Sequence, residues 1–279
     1  MAFLASLFGY LLNFIYDLVN NYGLAIIIFT IIIKLLMLPI SIKQQKTMKK
    51  SVKIQEKVRR LQFKYKNNPE QLNKATIELY KSEKMSPFSG CLSAILQIVI
   101  LLSVFFMVQS PLTYMKKVDE GLINQYKDEI KQSQEGQNNQ TIYPEIEIIK
   151  EKGAQDERVN INMEFLGLDL SSVPISNLSD FRVYIIPVLY VISSFISIKL
   201  SNSVTNKKKN ETEEQEPSEM EAIMQANKSM MYIMPIMSVS ISMVAPLGLA
   251  LYWLVSNVLM ITEKLILNKV MDSKEEENV

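Results

Sequence analysis

Residues 23–42, GLAIIIFTIIIKLLMLPISI, decide the fold of this chain. Such a stretch is long and apolar enough to form a membrane-spanning helix, because about 20 apolar residues cross the hydrocarbon core of a bilayer. Lys34 is the single charged residue within it. A charge at the centre of a membrane helix costs about 2.5–3.5 kcal/mol, so such residues usually face a partner or a water-filled cavity. The stretch therefore predicts a membrane protein in which Lys34 has a function.

The alternative is a Lys34 that snorkels to the membrane surface along its own aliphatic stem. Charge resumes only at Lys43, which is roughly 13 Å further along a helix and beyond the reach of a lysine stem. Thr30 and Ser41 fall close to the azimuth of Lys34 and form a narrow polar stripe with it. This stripe favours a cavity-facing lysine.

The composition excludes several classes of catalytic site. The chain has no histidine, and Cys91 is its single cysteine. It cannot form a Cys/His nucleophile, a zinc site of the usual kind or an intramolecular disulfide. Glycine-rich phosphate loops and dinucleotide fingerprints are also absent from the sequence. We therefore expect no enzymatic activity, no metal site and no cofactor.

Charge is segregated along the chain in the manner of a membrane protein. Residues 43–84 contain thirteen Lys or Arg against four Asp or Glu, which is typical of a cytoplasmic segment. We interpret residues 43–85 as a basic cytoplasmic helical hairpin, in which Asn68 caps the second arm and Pro69 begins it. An apolar seam that includes Val58 and Ile77 is expected to hold the two arms together.

Hydropathy predicts five spans, at residues 21–42, 86–113, 181–202, 229–245 and 246–268. The last two share an uncharged run of 34 residues, 229–262. As one helix this run would measure about 51 Å against a hydrocarbon core of about 30 Å, so we expect Pro246 and Gly248 to divide it. In residues 1–20, polar side chains recur every three or four positions, opposite a set of apolar side chains. This pattern predicts an amphipathic helix lying in the membrane interface.

The connecting segments set the predicted orientation. Residues 114–180 hold thirteen acidic against seven basic residues and are interpreted as an extracytoplasmic loop without a run of strands, although Lys116 and Lys117 lie near the membrane on that side. Residues 203–228 are predicted to be a cytoplasmic linker, and the lysines at 207–209 within it mark the cytoplasmic side. Residues 269–279 form a short acidic tail. The N-terminus is therefore placed outside and the C-terminus in the cytoplasm.

Four segments of the sequence carry a family resemblance. They are YGLAIIIFTIIIKLLMLPISIKQQKTMKK from Tyr22, KYKNNPEQLNKATIELYK from Lys64, PFSGCLSAILQ from Pro87 and PLGLALYWLVSN from Pro246, and FLGLDLSS from Phe165 agrees with them. In these segments the chain resembles YidC-type membrane protein insertases of the Oxa superfamily, in the five-span form of Gram-positive bacteria. Lys34 stands where this family generally carries arginine.

The resemblance implies an all-α polytopic membrane protein with five transmembrane helices around a cytoplasm-open hydrophilic groove. Such a protein inserts newly made membrane proteins into the bacterial plasma membrane and helps them fold, while the groove receives the acidic tail of the substrate. We expect the groove to be lined by the following residues: Lys34, Thr30, Gln97, Ser197, Tyr252, Trp253, Ser256 and Asn257. A small solute transporter or anion channel that uses Lys34 is the alternative, and a passive scaffold is a third class. Because Lys34 is expected to stand alone among hydroxyls and amides, a transporter is disfavoured.

Seven of the sixteen methionines lie in or just before the fourth predicted span. Flexible thioether side chains suit a surface over which different substrate helices slide, for which Met230, Met234 and Met237 are candidates, or they fill packing gaps. The expected partners are nascent membrane proteins and the lipid bilayer, with the Sec translocon, the ribosome and signal recognition particle components as further candidates. No direct contact with nucleic acid is expected.

Overall fold

A computed structural model describes residues 2–66, 68–84, 89–133, 142–206 and 240–276. Within these ranges the chain forms α1 (Ala2–Val19), α2 (Tyr22–Lys64), α3 (Pro69–Ser82), α4 (Ser89–Gln109), a π-helical segment (Leu112–Lys116), α5 (Glu120–Ser133), α6 (Pro144–Lys152), β1 (Glu164–Phe165), β2 (Leu168–Asp169), short 3-10 helices at Pro174–Ser176 and Phe181–Tyr184, α7 (Ile185–Asn206) and α8 (Leu247–Glu276). The chain divides into two compact units. The first combines Met1–Lys34 with Leu102–Val279, and the second comprises Leu35–Leu101.

Four helices among the described residues are long and apolar enough to cross a membrane. They lie at Ala2–Val19, Tyr22–Lys64, Phe181–Leu200 and Leu247–Val270, and a shorter apolar helix runs over Ile95–Gln109. Helices of this kind satisfy their own backbone hydrogen bonds in lipid, where no water is present. The fold class predicted from the sequence, an all-α polytopic membrane protein, is therefore confirmed.

One side of α1 faces away from the protein and is apolar. Phe3, Leu7, Tyr10, Phe14 and Leu18 recur at helical spacing and are between 53% and 79% exposed. The opposite side, which includes Ala5, Gly9 and Leu12, is buried. Such a helix suits contact with lipid in the interface or across it, and its interfacial placement stays a prediction.

The π-helical segment packs against the buried side of α1. A Cβ atom placed on Gly9 would lie only 1.9 Å from the carbonyl oxygen of Tyr114, so the two backbones are in direct contact. Lys116 lies 4.7 Å from the centre of the Tyr16 ring, and Lys117 lies 4.6 Å from that of Tyr10. Partial desolvation lowers the pKa of Lys117. Lys116 and Lys117, which belong to the acidic segment 114–180, thus hold α1 against the π-helical segment.

The second helix is longer than the predicted first span. It continues without interruption from Tyr22 to Lys64 and contains Pro39. A proline removes one backbone hydrogen bond, which a long membrane helix tolerates when neighbouring groups satisfy the freed carbonyl. The predicted span at 21–42 and the first arm of the hairpin are therefore parts of one helix.

The second compact unit includes the C-terminal part of α2 and all of α3. The Asn68 side chain accepts a hydrogen bond of 3.1 Å from the backbone nitrogen of Gln71, and Pro69 opens α3, so the predicted cap is confirmed. Lys57 lies 2.5 Å from Glu83 and holds the pKa of that carboxyl below its usual range. Val58 is buried as expected, but Ile77 is 55% exposed. Its predicted place in the seam is wrong because α3 turns Thr76 inward instead.

Residues 114–180 contain more regular structure than a loop. Helices α5 and α6 are joined by the ion pair of Lys152 with Glu129, which measures 2.8 Å. Tyr126 donates a hydrogen bond of 2.8 Å to Asp156, and the Arg158 side chain holds the pKa of that carboxyl well below its usual range. These contacts join residues up to 30 positions apart, which is why hydropathy and charge did not reveal them.

The ends of α2 and α8 meet the segment that carries β1 and β2. The backbone nitrogen of Tyr22 donates to the carbonyl of Asn162, and that of Leu247 donates to the carbonyl of Ser172, at 3.0 and 2.9 Å. A helical turn at 240–244 ends before Pro246, and α8 begins at Leu247. The chain leaves the helical conformation at 245–246, whereas Gly248 lies within α8 and does not break it. Residues 229–239 of the predicted fourth span lie outside the described residues, as do the lysines at 207–209, and α8 continues through 269–276 of the predicted tail.

Candidate functional site

Lys34 lies half-buried in the apolar part of α2. One turn earlier, Thr30 is buried, and its hydroxyl donates a hydrogen bond of 2.6 Å to the carbonyl of Ile26 in the same helix. Threonine commonly forms this bond in helices. The described hydrogen bond of Thr30 is therefore made to the backbone of its own helix.

Two charged residues of α8 lie within electrostatic range of Lys34. Glu263 attracts the Lys34 ammonium, and Lys264 repels it. Lys34 was expected to be alone among hydroxyls and amides, and that expectation is wrong. Glu263 and Lys264 follow directly on the uncharged run in the sequence, but nothing in the spacing of residues more than 200 positions apart indicates that they meet.

A polar cluster joins α7 to α8 in the middle of their interface. The side-chain nitrogen of Asn257 donates to the hydroxyls of Ser193 and Ser194, at 2.9 and 3.1 Å. The Ser193 hydroxyl in turn donates to the carbonyl of Tyr190 at 2.8 Å. All four residues are at most 8% exposed. The amide nitrogen of Asn257 is thus engaged between helices, and a substrate would have to use its carbonyl oxygen or displace these serines.

Aromatic and hydroxyl groups lie next to this cluster. The rings of Tyr190 and Trp253 have centroids 6.0 Å apart. Tyr252 and Ser256 are hydrogen-bonded to each other within α8, and Ser197 is buried on α7. The indole nitrogen of Trp253 is buried and has no hydrogen-bond partner among the residues that the structure describes.

Four predicted site residues belong to the second compact unit or lie outside the described residues. Gln97 belongs to the second compact unit, on α4, where it is exposed. Met230, Met234 and Met237 lie outside the described residues. Sequence reasoning missed Ser193, Glu263 and Lys264, because their roles depend on contacts between helices. Within the described ranges, no group of three or more His, Cys, Asp or Glu side chains is arranged to hold a metal ion.

Comparison with known sequences places these features in a family. The sequence model of the family described as 60Kd inner membrane protein matches residues 14–275. A membrane protein insertase YidC from Fusobacterium nucleatum is 27% identical over 266 residues, which cover 95% of each chain.

Two further relatives carry the same name and are matched over a smaller share of their length. The insertase YidC from Treponema denticola is 26% identical over 97% of this chain but only 38% of its own length. That from Caldanaerobacter subterraneus is 44% identical over 110 residues, or 39% of this chain and 53% of the relative. The chain thus spans about half the length of the latter relative and nearly all of the Fusobacterium protein.

Proposed function

The chain belongs to the 60Kd inner membrane protein family, which includes the YidC membrane protein insertases, and on that premise we propose that it inserts newly made membrane proteins into the bacterial plasma membrane and helps them fold. The observation that carries the proposal is the half-buried Lys34 within an apolar helix, within electrostatic range of charged residues of α8. An insertase needs a polar place within the membrane, because a substrate must move a hydrophilic tail through an apolar layer.

In this proposal Lys34 receives the acidic tail of the substrate in a hydrophilic groove open to the cytoplasm. The buried polar groups of α7 and α8, together with the indole nitrogen of Trp253, would form one wall of this groove. Opposite charges 4 Å apart attract by about 4 kcal/mol at an effective dielectric near 20. Such an attraction guides a substrate but still allows its release. The apolar helix of the substrate would slide into lipid over a surface formed by Met230, Met234 and Met237.

The family is described as an inner membrane protein, and the four apolar helices of this chain support a multi-pass membrane protein. We place the N-terminus outside and the C-terminus in the cytoplasm, because the basic hairpin is expected on the cytoplasmic side. There it would attract anionic lipid headgroups or receive the ribosome, signal recognition particle components or the Sec translocon. Five spans and an interfacial α1 complete the proposed topology.

Insertion by the purified protein tests the proposal directly. We expect liposomes that contain the protein to insert a single-span substrate with a short acidic external tail, as measured by protease protection of that tail. Empty liposomes and liposomes with an unrelated membrane protein are the controls. If the substrate is not inserted and the liposomes instead conduct small anions, the transporter replaces the insertase as the best interpretation.

Glu263 gives a second test, because its carboxylate competes with the tail of the substrate for Lys34. Glu263→Gln removes this competitor, so we expect a substrate with an acidic tail to bind more tightly and to dissociate more slowly. If the competing attraction is worth about 1.4 kcal/mol, the dissociation constant falls by about tenfold. Cross-linking of the tail to the protein over time measures both effects.

Glu263→Asp, which keeps the charge, is the matched control and should behave like the wild-type protein. A substrate with a neutral tail should not distinguish the variants. If its retention rises as much as that of the acidic substrate, Glu263 acts on the packing of α8 and not on the charge of the groove.

A further inference from the structure

The turn between β1 and β2 carries an unexpected residue. Phe165 pairs with Leu168, and the two residues between them, Leu166 and Gly167, have φ angles of 52° and 76°. Positive φ at both positions defines a type I′ turn, in which Asn-Gly and Asp-Gly are preferred. Leucine has no such preference, because its Cβ atom crowds the backbone in this conformation. Leu166 is nevertheless present, and it is 86% exposed.

Leu166 is the most exposed of four large apolar side chains that are exposed in this region, of which Ile175 is 53% exposed. Leu178 is 69% exposed and Phe181 is 77% exposed. The turn and the segment that begins the third predicted span are neighbours, since Gly167 and Arg182 line the same cavity of about 470 Å³. We call Leu166, Leu178 and Phe181 the apolar rim.

Hydrogen bonds fix the hairpin at the ends of two membrane-spanning helices. The side-chain nitrogen of Asn21, just before α2, donates to the carbonyl of Glu164 at 2.7 Å. The backbone nitrogen of Gly248, in the first turn of α8, donates to the carbonyl of Leu170 at 3.0 Å. The Phe165 ring also packs directly over Gly23. The depth of the hairpin relative to the bilayer is therefore set by the spans themselves.

The rim continues the outward-facing apolar surface of the third predicted span. Phe181 is the first residue of the candidate span Phe181–Leu200. The following side chains of that span are also exposed: Ile185, Val188, Leu189, Ile192, Phe195 and Ile196. A surface of this kind faces acyl chains when the helix crosses the membrane. Next to Phe181, the exposed Arg182 pairs with Asp180 at 2.9 Å, as suits a charged group at the level of the headgroups.

We propose that the apolar rim inserts into the lipid interface at this end of the spans, with Leu166 as its leading side chain. The partner is the boundary between headgroups and acyl chains, and under the proposed orientation it belongs to the outer leaflet. An apolar residue in a strained turn position is then explained by its transfer from water into lipid. The rim anchors the ends of α2, α7 and α8 to the membrane surface. This inference does not depend on a role for Lys34 or on the insertion activity.

Tryptophan fluorescence in vesicles tests the depth of the rim. Trp253 is the single tryptophan of the chain, so Trp253→Phe provides a background for Leu166→Trp and Phe181→Trp. Gln155→Trp is the matched control, because Gln155 is exposed in the same segment but outside the rim. In phosphatidylcholine–phosphatidylglycerol vesicles with brominated acyl chains, we expect blue-shifted emission and loss of most fluorescence at positions 166 and 181, and neither change at position 155.

Two results would overturn the proposal. The first is emission at 166 and 181 that is as water-like and unquenched as at 155. The second is blue-shifted emission without quenching by bromine, which would mean that a protein surface, such as a second copy, covers the rim. If the Trp253→Phe background does not fold, an environment-sensitive fluorophore on Leu166→Cys or Phe181→Cys, in a Cys91→Ser chain, gives the same readout.

A second variant separates lipid contact from turn formation. Leu166→Asn keeps the turn, because asparagine favours this conformation before glycine, but removes the apolar side chain. With the Phe181→Trp reporter, we expect Leu166→Asn to reduce quenching by brominated lipid and Leu166→Phe to retain it. Unchanged quenching in Leu166→Asn would show that Leu166 does not lead the rim into the interface.

Discussion

Replacing Lys34 with alanine is expected to remove most insertion of a substrate whose external tail is acidic, whereas Lys34→Arg should retain it. The attraction that is lost amounts to about 4 kcal/mol for charges 4 Å apart at an effective dielectric near 20. Even if a third of it contributes to the rate-limiting step, the rate falls by about tenfold, since 1.4 kcal/mol is one factor of ten. The measurement is the initial rate of protease protection of the tail in liposomes, after equal folding of the variants has been confirmed.

Lys43→Ala is the matched control, because Lys43 lies on the same helix and is exposed. We expect this variant to insert the substrate at close to the wild-type rate. A substrate with a neutral tail should be inserted equally by all the variants. Full activity of Lys34→Ala towards the acidic substrate would leave the insertase proposal intact but remove the docking role of the lysine. Loss of activity in Lys34→Arg would mean that the shape of the ammonium matters more than its charge.

Replacing Gly9 with alanine is expected to destabilise the protein strongly for so small a change. The added Cβ would lie 1.9 Å from the carbonyl oxygen of Tyr114 and 2.4 Å from its carbon. These are backbone atoms of the π-helical segment, and they cannot rotate away. The helix α1 must therefore shift, which loosens the contacts of Tyr16 with Lys116 and of Tyr10 with Lys117. Overpacking of this kind costs about 1–3 kcal/mol and occasionally more.

Thermal unfolding in detergent measures this effect, with Gly121→Ala as the matched control. A Cβ on Gly121 would lie 2.8 Å from Oδ1 of Asp119, a side-chain atom that accepts hydrogen bonds from the backbone nitrogens of Gly121 and Leu122. Alanine favours the helix α5, which offsets part of the disturbance to this cap, so we expect a much smaller loss of stability than in Gly9→Ala. Equal melting temperatures for Gly9→Ala and Gly121→Ala would contradict the close packing of α1. Protease accessibility of α1 provides an independent readout.

The sequence was sufficient for features that depend on a few neighbouring residues. The apolar length of residues 23–42 and the charge of Lys34 predicted a membrane-spanning helix with a polar group inside it. Asn68 and Pro69 predicted the start of α3, and Pro246 predicted the break before α8. Hydrophobicity, helix capping and proline geometry depend on residues that are close in the sequence. They can therefore be recognised without knowing which distant residues the segment will contact.

The tertiary structure was needed wherever function depends on which distant groups meet. Glu263 and Lys264 act electrostatically on Lys34, Asn257 donates hydrogen bonds to Ser193 and Ser194, and Leu166 projects from the protein. The sequence around each of these residues is compatible with other partners, because electrostatic and packing contacts depend on distance in space and not on separation along the chain. Membership of a membrane protein family could therefore be inferred from local signals, whereas the charge balance around Lys34 and the exposed rim required the helices to be packed together.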